Sequence, residues 1–206
     1  MAFDEHLGLS FRKVKPEDER ELHLLHNECI KEISYPAEFF FKATHGCEGI
    51  EGWVCTTATS GGRGERLVGF VTVQVASSNH VEGKSLVDFI FLRPSDHLYI
   101  LTLGVQEKYR HCGVATRLLD EVKRYTAKVS VDAIYLHALA SNHKAIKFYT
   151  KNQFVCQKRL TGFYTLNSSE VHDGLLFCFS PAKALAQASD QCSLLPLSLF
   201  RKLLWF

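Results

Sequence analysis

The 206-residue chain lacks the signals of several protein classes. It holds no run of about 20 apolar residues, the length that a membrane-spanning helix requires. Its first residues, MAFDEHLG, are polar and acidic, which predicts that no secretory signal starts here. The formal net charge is only +2, so charge gives no argument for binding nucleic acid or an acidic partner.

The cysteines lack the spacing of a metal site. The sequence contains no Cys-x-x-Cys, and its seven cysteines are Cys29, Cys47, Cys55, Cys112, Cys156, Cys178 and Cys192. An odd and scattered set, without a signal peptide, predicts reduced thiols in a cytosolic setting. No metal is expected.

What the chain does contain is a strand, a turn and a helix within residues 98–120, LYILTLGVQEKYRHCGVATRLLD. The stretch 98–105 is rich in β-branched and aromatic residues, which indicates a strand. From Val114 to Val122, apolar residues recur near a period of 3.6, which indicates a helix. Gly113 precedes that helix, and its small size lets a ligand approach the backbone. Unpaired N–H groups and the helix dipole would favour a pyrophosphate there.

Two common phosphate-binding loops do not fit this turn. A P-loop requires Gly-x-x-x-x-Gly-Lys-Ser/Thr, and no Gly-Lys-Ser/Thr follows. A dinucleotide-binding turn requires G-x-G-x-x-G, and this turn holds a single glycine. Arg110 and His111 offer side-chain donors beside the helix terminus. The alternative is that Gly113 only eases a turn between strand and helix.

The periodicity of the whole chain predicts an α/β (α+β) fold, with a mixed sheet of about seven strands and helices on both faces. The predicted order is β-α-α-β-β-β-α-β-α-β-β. Strands are predicted at residues 9–15, 53–58, 67–76, 98–105, 133–139, 154–160 and 175–179. Helices are predicted at residues 16–33, 37–42, 114–122 and 144–151, the last capped by Ser141-Asn142. We expect Gly162-Phe163-Tyr164 to form a turn, and the pattern does not assign residues 77–96.

The pattern Arg-x-x-Gly-x-Ala, from Arg110 to Ala115, resembles the acetyl-coenzyme A signature of the GNAT acetyltransferases. Residues 142–149 resemble the helix that closes over coenzyme A in that family. Further stretches are similar to N-terminal acetyltransferases of the NatE and NatF types, namely 98–105, 134–137, Tyr35-Pro36 and Phe163-Tyr164. The resemblance covers residues 9–180 and implies a GNAT domain there.

The resemblance implies transfer of acetyl from acetyl-CoA to protein N-termini that start with methionine, by direct attack without an acyl-enzyme. It implies that the central strand and the next one diverge at a bulge at Gly104. The pantetheine arm would then bond to the backbone of Leu103 and Val105. By the period of two, Tyr99, Leu101, Leu103 and Val105 are predicted to share one face.

Site roles follow from the same resemblance. Tyr99 and His137 are expected to flank the acceptor amine as catalytic residues. Tyr35, Leu101 and Tyr164 are expected to bind the peptide. Contacts with acetyl-CoA are expected from Leu103, Gly104, Val105, Arg110, His111, Cys112, Gly113, Val114, Ala115, Thr116, Asn142 and Tyr149, with Tyr149 near the sulfur. An α-amine has a pKa near 7.7–8.0 against about 10.4 for lysine, so a modest base is sufficient.

Two departures and several alternatives accompany this interpretation. Lys31-Glu32 replaces the family's usual Phe-Pro, and Phe163-Tyr164 replaces tandem tyrosines, which puts the preference for methionine in doubt. The alternatives are acetylation of lysine or a small amine, and a non-catalytic domain that binds coenzyme A or a membrane. Cys112 lies in the phosphate turn, away from the expected thioester, which argues against a covalent cysteine route. His137 taken alone would be an ordinary strand histidine.

The last residues, 194–206, read LLPLSLFRKLLWF and follow a small, polar linker at 181–193. As a helix from Leu197, the segment would place Arg201 and Lys202 on one side and most apolar residues on the other. Such a segment suits a membrane interface but is too short to cross it. Resemblance to the NatF type implies the cytosolic face of Golgi or plasma membranes, and otherwise the cytoplasm. The alternative is a tail packed on the domain or on a partner.

Overall fold

The structure is a computed structural model that describes residues 8–59, 64–76, 97–166 and 170–180. Its strands are β1 (Leu9–Lys13), β2 (Ile50–Ala58), β3 (Glu65–Ala76), β4 (His97–Val105), β5 (Ile134–Leu139), β6 (Val155–Leu166) and β7 (Glu170–Phe179). Its α-helices are α1 (Glu19–Cys29), α2 (Ala37–His45), α3 (Val114–Val129) and α4 (His143–Lys151). The order of these elements along the chain confirms the predicted one.

The described strands form one mixed sheet in the order β1-β2-β3-β4-β5-β7-β6. Strands β4 and β5 are parallel, and every other neighbouring pair is antiparallel. A parallel pair requires a long crossover, which α3 provides between β4 and β5. The mixed seven-stranded sheet confirms the predicted fold class.

Helices cover both faces of the sheet, as predicted. On one face Leu22 of α1 and Phe40 of α2 pack in a buried cluster with Phe70 of β3. On the other, Leu118 of α3 packs in a second cluster with Val71 of β3. Phe70 and Val71 are neighbours that point to opposite faces, because side chains alternate along a strand.

The predicted turn at Gly162-Phe163-Tyr164 is wrong, because these residues lie within β6. Leu160 pairs with Gly174 and Tyr164 pairs with His172, so residues 161–163 face Asp173 alone. The extra residues form a bulge, in which Gly162 takes a φ of +66°. Bulges and turns both favour glycine because it accepts a positive φ, which explains why the sequence pattern predicts a turn here. Strand β7 also begins at Glu170, five residues before the predicted start.

Some predicted boundaries also differ. The helix predicted from Pro16 begins at Glu19, after a 3-10 turn over Pro16–Asp18, and ends at Cys29. Asp18 is bound by Arg12 at 2.6 and 2.9 Å and by the Lys15 N–H at 2.8 Å, which holds that first turn outside the helix. Helix α2 is longer than predicted and ends at His45, and Gly46 follows it with a φ of +69°, which suits a helix C-cap.

Several predictions fall outside the described residues. These are the unassigned stretch 77–96, the linker 181–193 and the amphipathic tail 194–206. Within the described part of the chain, no helix has both the length and the apolar character needed to span a membrane.

Candidate active site

The parallel strands β4 and β5 separate part of the way along their length. They pair only through Leu98 with Ile134 and Tyr99 with Tyr135, although β4 continues to Val105 and β5 to Leu139. Backbone groups of β4 beyond Tyr99 therefore turn away from β5, and a gap opens between the two strands. The predicted divergence is confirmed, and it begins beside Tyr99.

The bulge in β4 lies at Leu101 and not at Gly104, where it was predicted. Thr72 pairs with Thr102 and Val73 pairs with Ile100, which leaves Leu101 as the additional residue. Gly104 keeps a regular partner, Phe70. The extra residue reverses the alternation of side chains along the rest of the strand.

This reversal corrects the prediction that four alternate residues of β4 share one face. Leu101 packs with the cluster of α1 and α2, whereas Leu103 and Val105 pack with the cluster of α3 and α4. Tyr99 precedes the bulge and joins a small third cluster with Tyr135. The predicted substrate residue Leu101 and the predicted coenzyme residue Leu103 therefore lie on opposite faces.

Gly104 allows α1 to lie close to β4. A Cβ atom at this position would stand 2.5 and 2.6 Å from two atoms of the Phe70 ring and 2.9 Å from Cβ of Cys29. No side chain fits there, so glycine is required by the packing of helix against sheet.

Tyr99 and His137 meet across the two diverging strands. The Tyr99 hydroxyl lies 2.5 Å from Nδ1 of His137, and both side chains are partly buried. Burial lowers the pKa of His137 from 6.5 to about 4, so the imidazole is neutral at physiological pH. Burial, followed by the neighbouring phenols of Tyr164, Tyr35 and Tyr149, holds the pKa of Tyr99 well above its ordinary value. The pair therefore consists of a protonated phenol and an imidazole able to accept a proton.

Tyr35 and Tyr164 lie near this pair. Tyr35, in the connection between α1 and α2, packs against Phe39 with ring centroids 4.2 Å apart and planes inclined by 30°. The pKa of Tyr164 is raised well above its ordinary value by burial and then by the phenols of Tyr35 and Tyr149. Both predicted peptide-binding tyrosines are thus close enough to interact electrostatically within one site.

The loop before α3 has the geometry that an anionic ligand requires. Gly113 has a φ of +81°, a Cβ there would meet nothing within 4 Å, and no side chain caps α3. The first N–H groups of the helix, from Val114, Ala115 and Thr116, consequently lack a capping side chain. Nε of Arg110 donates to the carbonyl of Val105 at 3.0 Å, which ties the loop to the end of β4. His111 and Cys112 complete the loop, and His111 takes a φ of +64°. This donor set fits a pyrophosphate.

Helix α4 contributes Asn142 and Tyr149. Oδ1 of Asn142 accepts the Ala145 N–H at 3.0 Å, which confirms the predicted cap and leaves the amide NH2 group for a ligand. Tyr149 is buried beside Phe154 and Phe177, with ring centroids 5.6 and 6.1 Å away. Burial raises the pKa of its phenol well above the ordinary value, so the hydroxyl stays protonated.

Two cysteines, Cys29 and Cys112, lie near the site. Burial, followed by the charge of Glu28, raises the pKa of Cys29 to about 11, which keeps that thiol protonated at neutral pH. The Cys112 thiol lies in the loop before α3 and donates to the Arg110 carbonyl at 3.5 Å. Residues 8–59, 64–76, 97–166 and 170–180 contain no cluster of metal-ligating side chains.

Sequence reasoning missed three contacts around the site. His26 is fully buried and lies edge-on to Tyr35 with ring centroids 5.3 Å apart. Nε2 of Gln106 donates to Glu28 at 3.1 Å and joins the start of the loop before α3 to α1. Phe163 stacks on His137. Only His26 had a local signal, since it follows Leu22 and Leu25 on the buried face of α1.

A mixed sheet whose parallel central strands diverge, with an uncapped helix start at the end of one of them, defines an acyltransferase of the GNAT type. The Acetyltransferase (GNAT) family model matches residues 17–154. The chain therefore belongs to this family, as the resemblance predicted.

Similar proteins are known within the family. Histone acetyltransferase MCC1 of Arabidopsis thaliana is 33% identical over 174 residues, which cover 84% of this chain and 70% of that protein. N-alpha-acetyltransferase 60 of Danio rerio is 31% identical over 105 residues, which cover 48% of this chain and 43% of that protein. The chain thus matches less than half the length of this second relative.

Two solved structures match 84% of this chain and nearly all of their own length. NAA60 of Arabidopsis thaliana in complex with a bisubstrate analogue superposes with a TM-score of 0.72 and 34% identity, covering 84% of this chain and 97% of that one. The same protein in complex with acetyl-CoA gives a TM-score of 0.72 and 31% identity, covering 84% and 99%.

Proposed function

We propose that this protein transfers the acetyl group of acetyl-CoA to the free α-amino group of protein N-termini. The observation that carries the proposal is the Tyr99–His137 pair, placed where β4 and β5 begin to diverge. The likeness to an NAA60 structure with a bisubstrate analogue supports it. Preference for an initiating methionine is part of the proposal.

Binding of acetyl-CoA is assigned to three parts of the chain. The loop from Arg110 to Gly113 and the first N–H groups of α3 would hold the pyrophosphate. The backbone of Leu103 to Val105, facing the gap, would pair with the pantetheine amides. Asn142 and Tyr149 would contact the coenzyme from α4. When bound, acetyl-CoA supplies an activated thioester.

The proposed chemistry is a direct transfer. The amine nitrogen forms a bond to the acetyl carbonyl carbon, and the bond between that carbon and sulfur breaks. The amine proton passes to the Tyr99 oxygen, directly or through a water, as the Tyr99 proton moves to Nδ1 of His137. The protonated Tyr149 hydroxyl donates a proton to the leaving sulfur. His137 then releases its proton to solvent and Tyr149 regains one, so the net transfer is one proton from the amine to the thiol. Tyr35, Leu101 and Tyr164 would hold the peptide.

Acetylation of lysine is the second candidate, because the relative with 33% identity is named a histone acetyltransferase. The two reactions differ in the pKa of the acceptor. An α-amine has a pKa near 7.7–8.0, whereas a lysine side chain has one near 10.4. A site whose base is a neutral imidazole does little to deprotonate lysine at neutral pH.

A peptide panel measured against pH separates the candidates. The substrates are Met-Leu, Met-Lys and Ser-starting peptides, together with N-blocked peptides that contain lysine. Because the pKa of His137 is lowered to about 4, its imidazole stays neutral from pH 6 to 9 and adds no step there. We expect kcat/KM on free N-termini to rise with pH and level off near pH 8, following the amine.

Two outcomes contradict the proposed reaction. Transfer only to N-blocked lysine peptides, with a rate that still rises above pH 9, would establish the lysine reaction. Binding of acetyl-CoA, measured by calorimetry, without transfer to any peptide would indicate a non-catalytic domain. Equal rates on Met-starting and Ser-starting peptides would contradict only the methionine preference.

We also propose that residues 9–180 form the catalytic domain and that the segment 194–206 attaches it to the cytosolic face of a membrane. Apolar residues beside Arg201 and Lys202 suit the interface of an anionic bilayer. The full chain should sediment with vesicles of phosphatidylcholine and phosphatidylserine, whereas a chain that ends at residue 180 should not. Both should acetylate peptides equally fast. The membrane role would be contradicted if the full and the truncated chain sediment equally. It would also be contradicted if a full-length Leu203→Glu variant sediments as well as the full wild-type chain.

A further inference from the structure

Phe163 reaches His137 across an intervening strand. In the sheet, β7 lies between β5, which carries His137, and β6, which carries Phe163. The two rings nevertheless stack, with centroids 4.3 Å apart and planes inclined by 24°. A side chain from a strand that is not a neighbour therefore covers one face of the imidazole.

Gly174 of β7 makes this contact geometrically feasible. It pairs with Leu139 of β5 on one side and with Leu160 of β6 on the other. A Cβ atom at Gly174 would stand 2.9 Å from Cγ and Cδ1 of Phe163. The phenylalanine ring thus lies directly on the backbone of β7, in space that any other residue would fill.

The bulge in β6 directs Phe163 toward this space. Residues 161–163 face Asp173 alone, and the Gly162 N–H donates to Oδ1 of Asp173 at 3.0 Å. Oδ2 of the same carboxylate accepts from Nε of Arg159 at 2.8 Å. The carbonyl of Asp173 accepts the Ala140 N–H at 2.9 Å, just after β5 ends. Asp173 of β7 therefore connects the bulge in β6 to the residue that follows β5, the strand of His137.

The imidazole of His137 is consequently held in two directions. The hydroxyl of Tyr99 lies in hydrogen-bond distance of Nδ1, which fixes the edge of the ring. Phe163 covers one face, which fixes the tilt of the ring and keeps water from that side. Phe163 also meets the ring of Tyr164 edge-on, with centroids 4.6 Å apart, and it has no hydroxyl with which to hydrogen-bond a peptide.

We propose that Phe163 is a positioning residue, which the β6 bulge and Gly174 hold on the face of His137 so that the imidazole stays aligned with Tyr99. Its effect on turnover rests on the proposed acetyl transfer. Its effect on the imidazole does not, and can be measured without any substrate.

The kinetic test compares Phe163→Leu, Gly174→Ala and Phe163→Tyr in the full chain. Leucine removes the ring, and alanine at Gly174 displaces it, so both should lower kcat at least ~10-fold, the scale of a small misalignment. The KM for acetyl-CoA should stay within about twofold. Tyrosine keeps the ring and should retain most of the wild-type kcat. Matched controls are Phe11→Leu, a half-buried phenylalanine of β1 at the far edge of the sheet, and the exposed Gly64→Ala.

The second test observes the His137 ring by NMR as a function of pH, without substrate. In wild type the His137 signal should not titrate between pH 5 and 8, because burial keeps the ring neutral there. In Phe163→Leu and Gly174→Ala it should titrate nearer the ordinary histidine value, about 6.5, as water reaches the exposed face. In the Phe11→Leu and Gly64→Ala controls it should behave as in wild type.

Together, the two tests distinguish a failure of the positioning role from a failure of the proposed function. An unchanged His137 titration and kcat in Phe163→Leu would overturn the positioning role. A changed titration in a protein that acetylates no N-terminus would support the positioning role and overturn the proposed function. A loss of kcat in Phe163→Leu with a wild-type titration would show that the ring acts on the peptide and not on His137, and would also overturn the inference.

Discussion

Replacing Tyr99 with phenylalanine should lower kcat for α-amine acetylation by about 10²-fold, the scale of a lost acid–base group. The change removes the hydroxyl that lies 2.5 Å from Nδ1 of His137 and leaves the ring packed against Tyr135. His137→Asn should lower kcat by a similar factor. The measurement is the initial rate of acetyl transfer to a Met-starting peptide at saturating acetyl-CoA.

The double variant tests whether the two residues act as one unit. If a single proton passes along the amine, Tyr99 and His137, either substitution interrupts the transfer, and both together should cost little more than one. The KM for acetyl-CoA should remain close to wild type, since neither side chain lies in the loop from Arg110 to Gly113 that is assigned to the pyrophosphate.

Tyr125→Phe is the matched control for this experiment. Tyr125 lies on α3 against Trp53, with ring centroids 5.1 Å apart, and takes no part in the site. Its hydroxyl should be dispensable for turnover. Full activity in both Tyr99→Phe and His137→Asn would contradict the proposed catalytic pair, and fully multiplicative losses would contradict the single proton path.

Much of this site was predictable because its signals are local in the sequence. The strand, turn and helix around Gly113 are contiguous, so their order and the uncapped helix start follow from one stretch of chain. Tyr99 and His137 lie on strands joined by a single helix, and strands in such a unit usually become parallel neighbours. Their meeting therefore required only the correct order of elements, and the likeness to a known family indicated their roles.

The details that were missed depend on contacts between distant parts of the chain. The additional residue at Leu101 is recognised only from the pairing of β4 with β3, because periodicity within β4 is compatible with an unbroken strand. The sequence around Gly162 suits a turn and a bulge equally, so the bulge in β6 cannot be distinguished from a turn by its local pattern. The stacking of Phe163 on His137 requires Gly174 in a third strand, and no local pattern contains all three residues.

Replacing Gly104 with alanine should destabilise the fold by about 2–3 kcal/mol, the usual scale of an overpacked core. The new methyl group would lie within 2.6 Å of two Phe70 ring atoms and 2.9 Å from Cβ of Cys29, so either α1 or β4 must move. The measurement is urea unfolding followed by circular dichroism, with stability taken from the midpoint and slope. The control is Gly64→Ala, where the nearest atom to the new Cβ is 3.8 Å away.

A double-mutant cycle identifies the cause of this loss. Phe70→Leu removes the two ring atoms that the new methyl group would meet and leaves a cavity that the methyl group can partly fill. The double variant should therefore be more stable than the sum of the two single losses predicts. Strict additivity would contradict a clash with Phe70.

Gly104→Ala should also weaken acetyl-CoA binding, because β4 supplies both the face that α1 covers and the backbone assigned to the pantetheine arm. Because Phe70 packs only on the face that α1 covers, Phe70→Leu should recover part of the binding and part of the stability that Gly104→Ala loses. Such a joint recovery would link the glycine required for packing to the opening of the site.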